Sequence, residues 1–227
     1  AFAKIRQFLV KFPPILKEFE TLFNRNRIFI ERTSGVGAVT AETALNYSWS
    51  GPILRATGVD YDVRANEPYA SYQDFDFDIP VGTTGDVYDR YIVRNEEMWQ
   101  SLRIIEQAMQ KLEKEPKGVF HADVPEFYLP AKESVYNNME ALIYHFKIVM
   151  GEIDTPKTEV YHAVEGGNGE LGFYLVNDGG RSPYRLHFRR PSFINYQMYA
   201  PMSSGMLLSD AIINMSSLNV IAGELDA

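Results

Sequence analysis

The hydrophobic spacing of this chain changes period near residue 158, and that change limits the folds open to it. Upstream, apolar residues recur every three or four positions, the repeat of a helix with one buried face. Phe2, Ile5, Phe8, Leu9 and Phe12 begin the pattern, and Ile15, Leu16, Phe19, Leu22 and Phe23 resume it. Pro13-Pro14 lies between them and predicts two helical pieces with a break. A short helix is expected over about 40–47. The best pattern runs from Asp86 to about Lys114, with Val87, Tyr91, Met98, Leu102, Ile105, Met109 and Leu112 on one face. Glu115-Pro116-Lys117-Gly118 stops it. A second clear helix is predicted from about Lys132 to Val149, with Val135, Met139, Ile143 and Phe146 inward.

Downstream the pattern alternates. Residues 159–165, 170–176 and 184–190 are rich in β-branched and aromatic side chains, and Asn177-Asp178-Gly179-Gly180 supplies a turn between the last two. A small antiparallel sheet is expected. Two short helices, about 192–199 and 206–215, precede the tail Asn219–Ala227. The fold class is therefore α+β, mainly helical. One domain is expected, helical over 1–150, with a sheet over 159–190 and C-terminal helices and tail over 192–227.

Residues 48–84 carry the punctuation of loops, Gly51-Pro52, Gly58, Pro68, Pro80 and Gly82. Such a length without regular elements indicates a packed functional surface. Trp49, Tyr61, Tyr69, Tyr72, Phe75 and Phe77 support that, since disordered linkers lack aromatics, and they predict exposed aromatic surface and poor behaviour in isolation. Asp74-Phe75-Asp76-Phe77-Asp78 reads as an extended strand with a solvated acidic edge and buried rings.

Composition excludes several functions. There is no cysteine, so no thiolate-held cluster, Cys zinc site or disulfide is possible. A net charge of −8 argues against nucleic acid as a partner, and His187, Arg189 and Arg190 read as a solvated strand face. No long uncharged apolar run suggests a membrane span, so attachment to a membrane would come through a partner. The first residue is Ala1, within helical pattern, as in a trimmed or processed chain. His121, His145, His162 and His187 show no metal-ligand spacing and are read as structural; no metal is assigned. Gly35-Val36-Gly37 and Glu165-Gly166-Gly167-Asn168-Gly169 do not open a helix after a strand, as a dinucleotide fingerprint must, and read as tight turns. No serine has an elbow motif or an assignable base.

A set of ordered motifs goes further. Asn24-Arg25-Asn26-Arg27-Ile28-Phe29, Arg32-Thr33-Ser34-Gly35-Val36-Gly37 and Gly51-Pro52-Ile53-Leu54-Arg55-Ala56-Thr57-Gly58 come first, then Asp62, Arg64 and Pro68-Tyr69. Gly85-Asp86-Val87-Tyr88-Asp89-Arg90-Tyr91 and Glu97-Met98-Trp99-Gln100-Ser101-Leu102 follow. Met139-Glu140, Leu142-Ile143, His145-Phe146-Lys147, Pro183-Tyr184-Arg185, Arg190-Pro191-Ser192-Phe193 and Gly223-Glu224-Leu225-Asp226 complete the series. Together they resemble the C-terminal half of the D-type, quinone-site subunit of respiratory complex I, a family similar in fold to the large subunit of nickel–iron hydrogenases. Hydrogenases hold their metals on cysteine pairs, which this chain lacks.

The resemblance implies a subunit of NADH-quinone oxidoreductase that forms part of the quinone site, coupling electron transfer to proton translocation. It implies a neighbouring B-type subunit with a 4Fe-4S cluster, C-type and membrane H-type partners, quinone as substrate and no cofactor on this chain. It also implies a peripheral place on the cytoplasmic face of a bacterial inner membrane, or the matrix side if mitochondrial. No catalytic residue is assignable: the family's quinone-binding His and Tyr belong to its N-terminal half, so this fragment alone is not expected to be active. The family tail resembles Asp-Ile-Val-Phe-Gly-Glu-Val-Asp-Arg. Asn219, Ile221, Ala222, Gly223, Glu224 and Asp226 are thus expected to form a wall of the pocket, with Glu224 and Asp226 in proton delivery, as tail anchors or as plain surface carboxylates. Asn219 and Ala227 depart from the charged ends of that motif. In a motif resembling Glu-Ala-Pro-Lys-Gly-Glu, Asn168 replaces the basic residue and is a candidate pocket or partner contact. Two alternatives stand beside this reading: a non-catalytic assembly module, or the equivalent subunit of a ferredoxin- or hydrogenase-linked membrane complex.

Overall fold

A computed structural model describes residues 2–115, 118, 124, 127–151, 155–180 and 182–226. His121, Ala227 and, within the expected 115–118 stop, Pro116 and Lys117 lie outside these residues. Helices α1 (Phe2–Phe23) and α2 (Arg27–Thr33) open the chain. Asn26 separates them by accepting the Ile28 and Phe29 amides at 3.0 and 3.3 Å, an N-cap for α2. Contrary to expectation, α1 runs straight through Pro13-Pro14. The proline ring fixes φ near the helical value, and what is lost is two backbone donors, not the helical course.

Next come α3 (Ala41–Asn46), α4 (Pro52–Arg55), α5 (Val63–Asn66) and a 3₁₀ turn over Tyr72–Asp74. Thr40 caps α3 through the Thr43 amide. The long helix α6 (Val87–Lys114) follows as the spacing predicted. Helices α7 (Lys132–Asn137) and α8 (Met139–Met150) replace the single helix expected there. Asn138 divides them because its side chain accepts the Glu140 and Ala141 amides and starts a new helix. Met139, Ile143 and Phe146, expected inward, are exposed, so their spacing marks an apolar face that no described residue covers.

Strands β1 (Thr158–Gly166), β2 (Gly169–Asn177) and β3 (Arg185–Arg189) form one antiparallel sheet in chain order, close to the predicted limits. Four helices follow instead of two: α9 (Pro191–Tyr196), α10 (Tyr199–Ser203), α11 (Leu208–Leu218) and α12 (Ala222–Asp226). The molecule is thus mainly helical α+β. No helix among the described residues is long and apolar enough to cross a membrane.

Two compact units can be distinguished, Ala1–Lys114 with Ala163–Gly172 and Arg189–Ala227, and Glu115–His162 with Phe173–Phe188. The first holds a core of Val39, Ala44, Trp49, Ile53, Leu54, Met198, Met202 and Leu218. Trp49 is only 3% exposed, and Tyr61, Tyr69, Tyr72, Phe75 and Phe77 are half-buried, which corrects the expected exposed aromatic surface. The reason is visible along α6. Asp76 and Asp78 pair with Arg103, the Asp76 and Asp78 amides donate to Gln107 and Gln100, and Lys111 stands 4.8 Å over the Phe75 ring. The acidic segment is not a strand; α6 holds it in irregular form.

Candidate functional site

The first unit contains a buried ion cluster that no single stretch of sequence announces. Arg55, on α4, donates to Glu97 at 2.9 and 2.5 Å and to Glu165 at 2.9 Å, and stands 3.3 Å from Asp62. Arg64 grips Asp62 at 2.9 and 2.5 Å. The side chains of Arg55, Asp62 and Glu165 are 1%, 0% and 4% exposed, so these charges have exchanged water for one another. Burial pushes the Glu165 carboxyl above the ordinary carboxylate range, and the neighbouring Asp62 charge adds to that, against the pull of Arg55. Burial would also raise Asp62, but the Arg64 hydrogen bond and the Arg55 charge outweigh it and hold Asp62 low.

Above the cluster, the tip of the β1–β2 hairpin is clamped from several sides. The Val63 amide donates to Glu165 at 3.3 Å, and the Glu165 amide to the Tyr69 hydroxyl at 3.1 Å. Gly51 and Gly169 lie so close that a Cβ on Gly51 would fall 2.3 Å from the Gly169 Cα. Arg189 donates to the Glu170 carbonyl at 2.8 Å and the Ser48 carbonyl at 3.0 Å. It is therefore a clamp, not part of a solvated face, whereas His187 is exposed as expected.

The tail meets the hairpin at this tip. Asn168 is 3% exposed; its carbonyl accepts from Asn195 at 3.0 Å, and its side chain donates to Ser192 at 3.4 Å. Asn219, in the left-handed region at φ 54°, donates to the Asn168 side-chain oxygen at 2.7 Å. Two of the positions that depart from the family motifs thus touch, and they do so as a neutral amide pair. Glu224 accepts the Ser192 amide at 2.9 Å, and the Ile221 amide donates to the Ser192 hydroxyl at 3.3 Å. Ile221, Ala222, Gly223 and Asp226 remain exposed, so their strip is anchored but uncovered.

Beside the tip, a cleft of about 510 Å³ runs along α6. Phe29, Val87, Tyr91, Met98 and Ile213 give it apolar walls, and Arg90, Arg94, Gly167 and Asn219 also line it. Of the predicted site residues, Asn219 reaches this cleft; Asn168, Ile221, Ala222, Gly223, Glu224 and Asp226 do not. Arg55, Asp62, Arg64, Glu97, Glu165, Arg90 and Arg94 were not among the site residues predicted from sequence. The available signal was charge within apolar runs, as in Pro52-Ile53-Leu54-Arg55-Ala56, where burial makes a partner obligatory. No group of three or more His, Asp or Glu suited to a metal occurs among the described residues.

A family match over the whole chain places it among subunits of respiratory-chain dehydrogenases. Residues 1–227 match the family described as respiratory-chain NADH dehydrogenase, 49 Kd subunit, and the chain belongs to that family. It is 68% identical to a D-type subunit of the NADH-quinone oxidoreductase of Cytophaga hutchinsonii, over 100% of this chain and 58% of that relative. The D-type subunit of the Flavobacterium johnsoniae oxidoreductase is 66% identical, over 100% of this chain and 55% of the relative, and that of Leptospira biflexa 54%, over 98% and 54%. The chain thus spans little more than half the length of these curated relatives.

Proposed function

We propose that this chain is part of the quinone-reducing end of a proton-translocating NADH-quinone oxidoreductase, and that its tail forms one wall of the quinone pocket. The observation that carries the reading is the tail itself. Ile221, 49% exposed, with Ala222 and Gly223 offers a small apolar strip, fixed through Ser192 on either side. An exposed apolar strip held without freedom suits one wall of a site for a flat ring, because ordering it costs little further entropy on binding.

The full subunit accepts electrons from a 4Fe-4S cluster in a B-type neighbour and meets C-type and membrane H-type subunits, at the cytoplasmic face of a bacterial inner membrane or the matrix face in mitochondria. Quinone is the substrate, and this chain holds no cofactor of its own. The relatives' printed names and the whole-chain family match support the part of this reading that makes the chain a subunit of an NADH-quinone oxidoreductase. Glu224 acts as a tail anchor, since it accepts the Ser192 amide, while the exposed Asp226 is the carboxylate free for proton delivery.

Ala222→Leu and Asp226→Asn test the reading in the assembled complex, because neither residue anchors the tail. Ala222→Leu is expected to raise the KM for quinone, and Asp226→Asn to lower kcat, both with normal assembly. Normal assembly with an unchanged KM and kcat in both variants overturns it.

A further inference from the structure

The cleft along α6 contains two cations, Arg90 buried and Arg94 half-buried, that no carboxylate of the described residues contacts; Asp86 and Asp89 act on Arg90, and Glu97 on Arg94, only beyond ion-pair distance. Arg90 is 0% exposed and is satisfied only by neutral acceptors: the Gly85 and Gly37 carbonyls at 2.7 and 3.1 Å, Ser217 at 3.0 Å and Asn214 at 3.5 Å. One helical turn later, Arg94 donates through Nη1 to the Gly167 carbonyl at 3.2 Å, while its Nε and Nη2 are buried with no partner. Among the described residues neither arginine forms an ion pair, although Arg55, Arg64 and Arg103 all do. Burial lowers both guanidinium pKa values, Arg90 to about 10. Nε and Nη2 form the fork that takes a carboxylate in two parallel hydrogen bonds.

Most of the remaining cleft wall is apolar, with Ser216, Ser217 and Asn219 as its neutral polar groups, so its complement is a carboxylate carried among apolar side chains. A free anion would leave Phe29, Val87, Met98 and Ile213 wet, and a neutral carbonyl would bring no countercharge into contact with the guanidinium. The chain spans only 58% and 55% of two relatives, so their subunit has further sequence able to supply such a segment. We infer that this cleft is the docking site for a segment from the remainder of the subunit, which presents an Asp or Glu to Arg94 between apolar residues. This inference is independent of the quinone reading, which concerns the uncovered tail strip.

The test uses the full-length subunit in its assembled complex, with a benzophenone amino acid placed at Ile213 and photolysis followed by peptide mapping. The expected product joins position 213 to a peptide of the same subunit, outside these 227 residues, with an Asp or Glu near the attachment point. Arg94→Glu should lower the yield about tenfold or more, and exchanging that carboxylate for Lys in the same variant should restore it. Attachment to another subunit, a lipid or quinone, or attachment to a peptide without an acidic residue, overturns the inference. If Arg94→Glu fails to assemble, Arg94→Gln serves in its place, and an unchanged yield there overturns it equally.

Discussion

Glu165 is expected to tolerate neutralisation where Arg55 does not. Arg55 and Arg64 face Asp62, Glu97 and Glu165, a formal excess of one negative charge in a buried cluster. Arg55→Met removes the cation shared by three carboxylates and leaves Asp62 and Glu165 buried without it. Breaking a buried pair from one side costs about 3–5 kcal/mol, against a total stability of about 5–15 kcal/mol. Glu165→Gln keeps an acceptor for Arg55 on one oxygen, gives up the one that takes the Val63 amide, and removes the excess charge. Its cost should stay near that of one unsatisfied backbone donor, about 1–3 kcal/mol, below the loss expected for Arg55→Met. Hydrogen exchange over residues 163–172 in the assembled complex reads both values. Above the ordinary carboxylate range the folded chain keeps a proton on Glu165 that the unfolded chain has released. Stability therefore falls as pH rises through the raised Glu165 value, and Glu165→Gln should flatten that slope. Asp62, held low, acts in the opposite sense: its contribution is lost as pH falls below the ordinary range. Equal losses for the two variants, or a slope unchanged in Glu165→Gln, would refute the reasoning.

Three further outcomes follow from the geometry. Gly51→Ala should destabilise the hairpin tip by about 2 kcal/mol or more, since φ is +70° and the new Cβ meets the Gly169 backbone; thermal unfolding of the subunit measures it. Asn138→Ala should cost about 1 kcal/mol through loss of the α8 cap, read as faster amide exchange at residues 140–142. Replacing Asp76 and Asp78 by Asn should cost less than about 1 kcal/mol and nothing measurable at high salt, because both side chains are about four-fifths exposed (80% and 77%).

What the sequence revealed depended on the range of the interaction involved. Helix α6 and the β1–β2 hairpin were legible because periodicity and turn residues are local, and α3 because Thr40 caps it within three positions. The continuity of α1 was hidden because Pro13-Pro14 signals lost donors but not whether the helix survives their loss. The division at Asn138 was masked by an apolar spacing that continues across it. The ion cluster was least visible. Arg55 meets Glu97 and Glu165 across 42 and 110 positions, and spacing alone cannot bring such residues together. Each nevertheless stands within a motif that resembles the family, so the motifs mark residues that converge in space. The same holds for Asn168 and Asn219, read as separate departures and found in one hydrogen bond.

The most direct test of the tail's role is photolabelling of the assembled complex with an azido-quinone. Label recovered on Ile221–Asp226, and suppressed by excess unlabelled quinone, is the predicted result. Specific label confined to other segments, with none on those six residues, would contradict a quinone wall built from the tail.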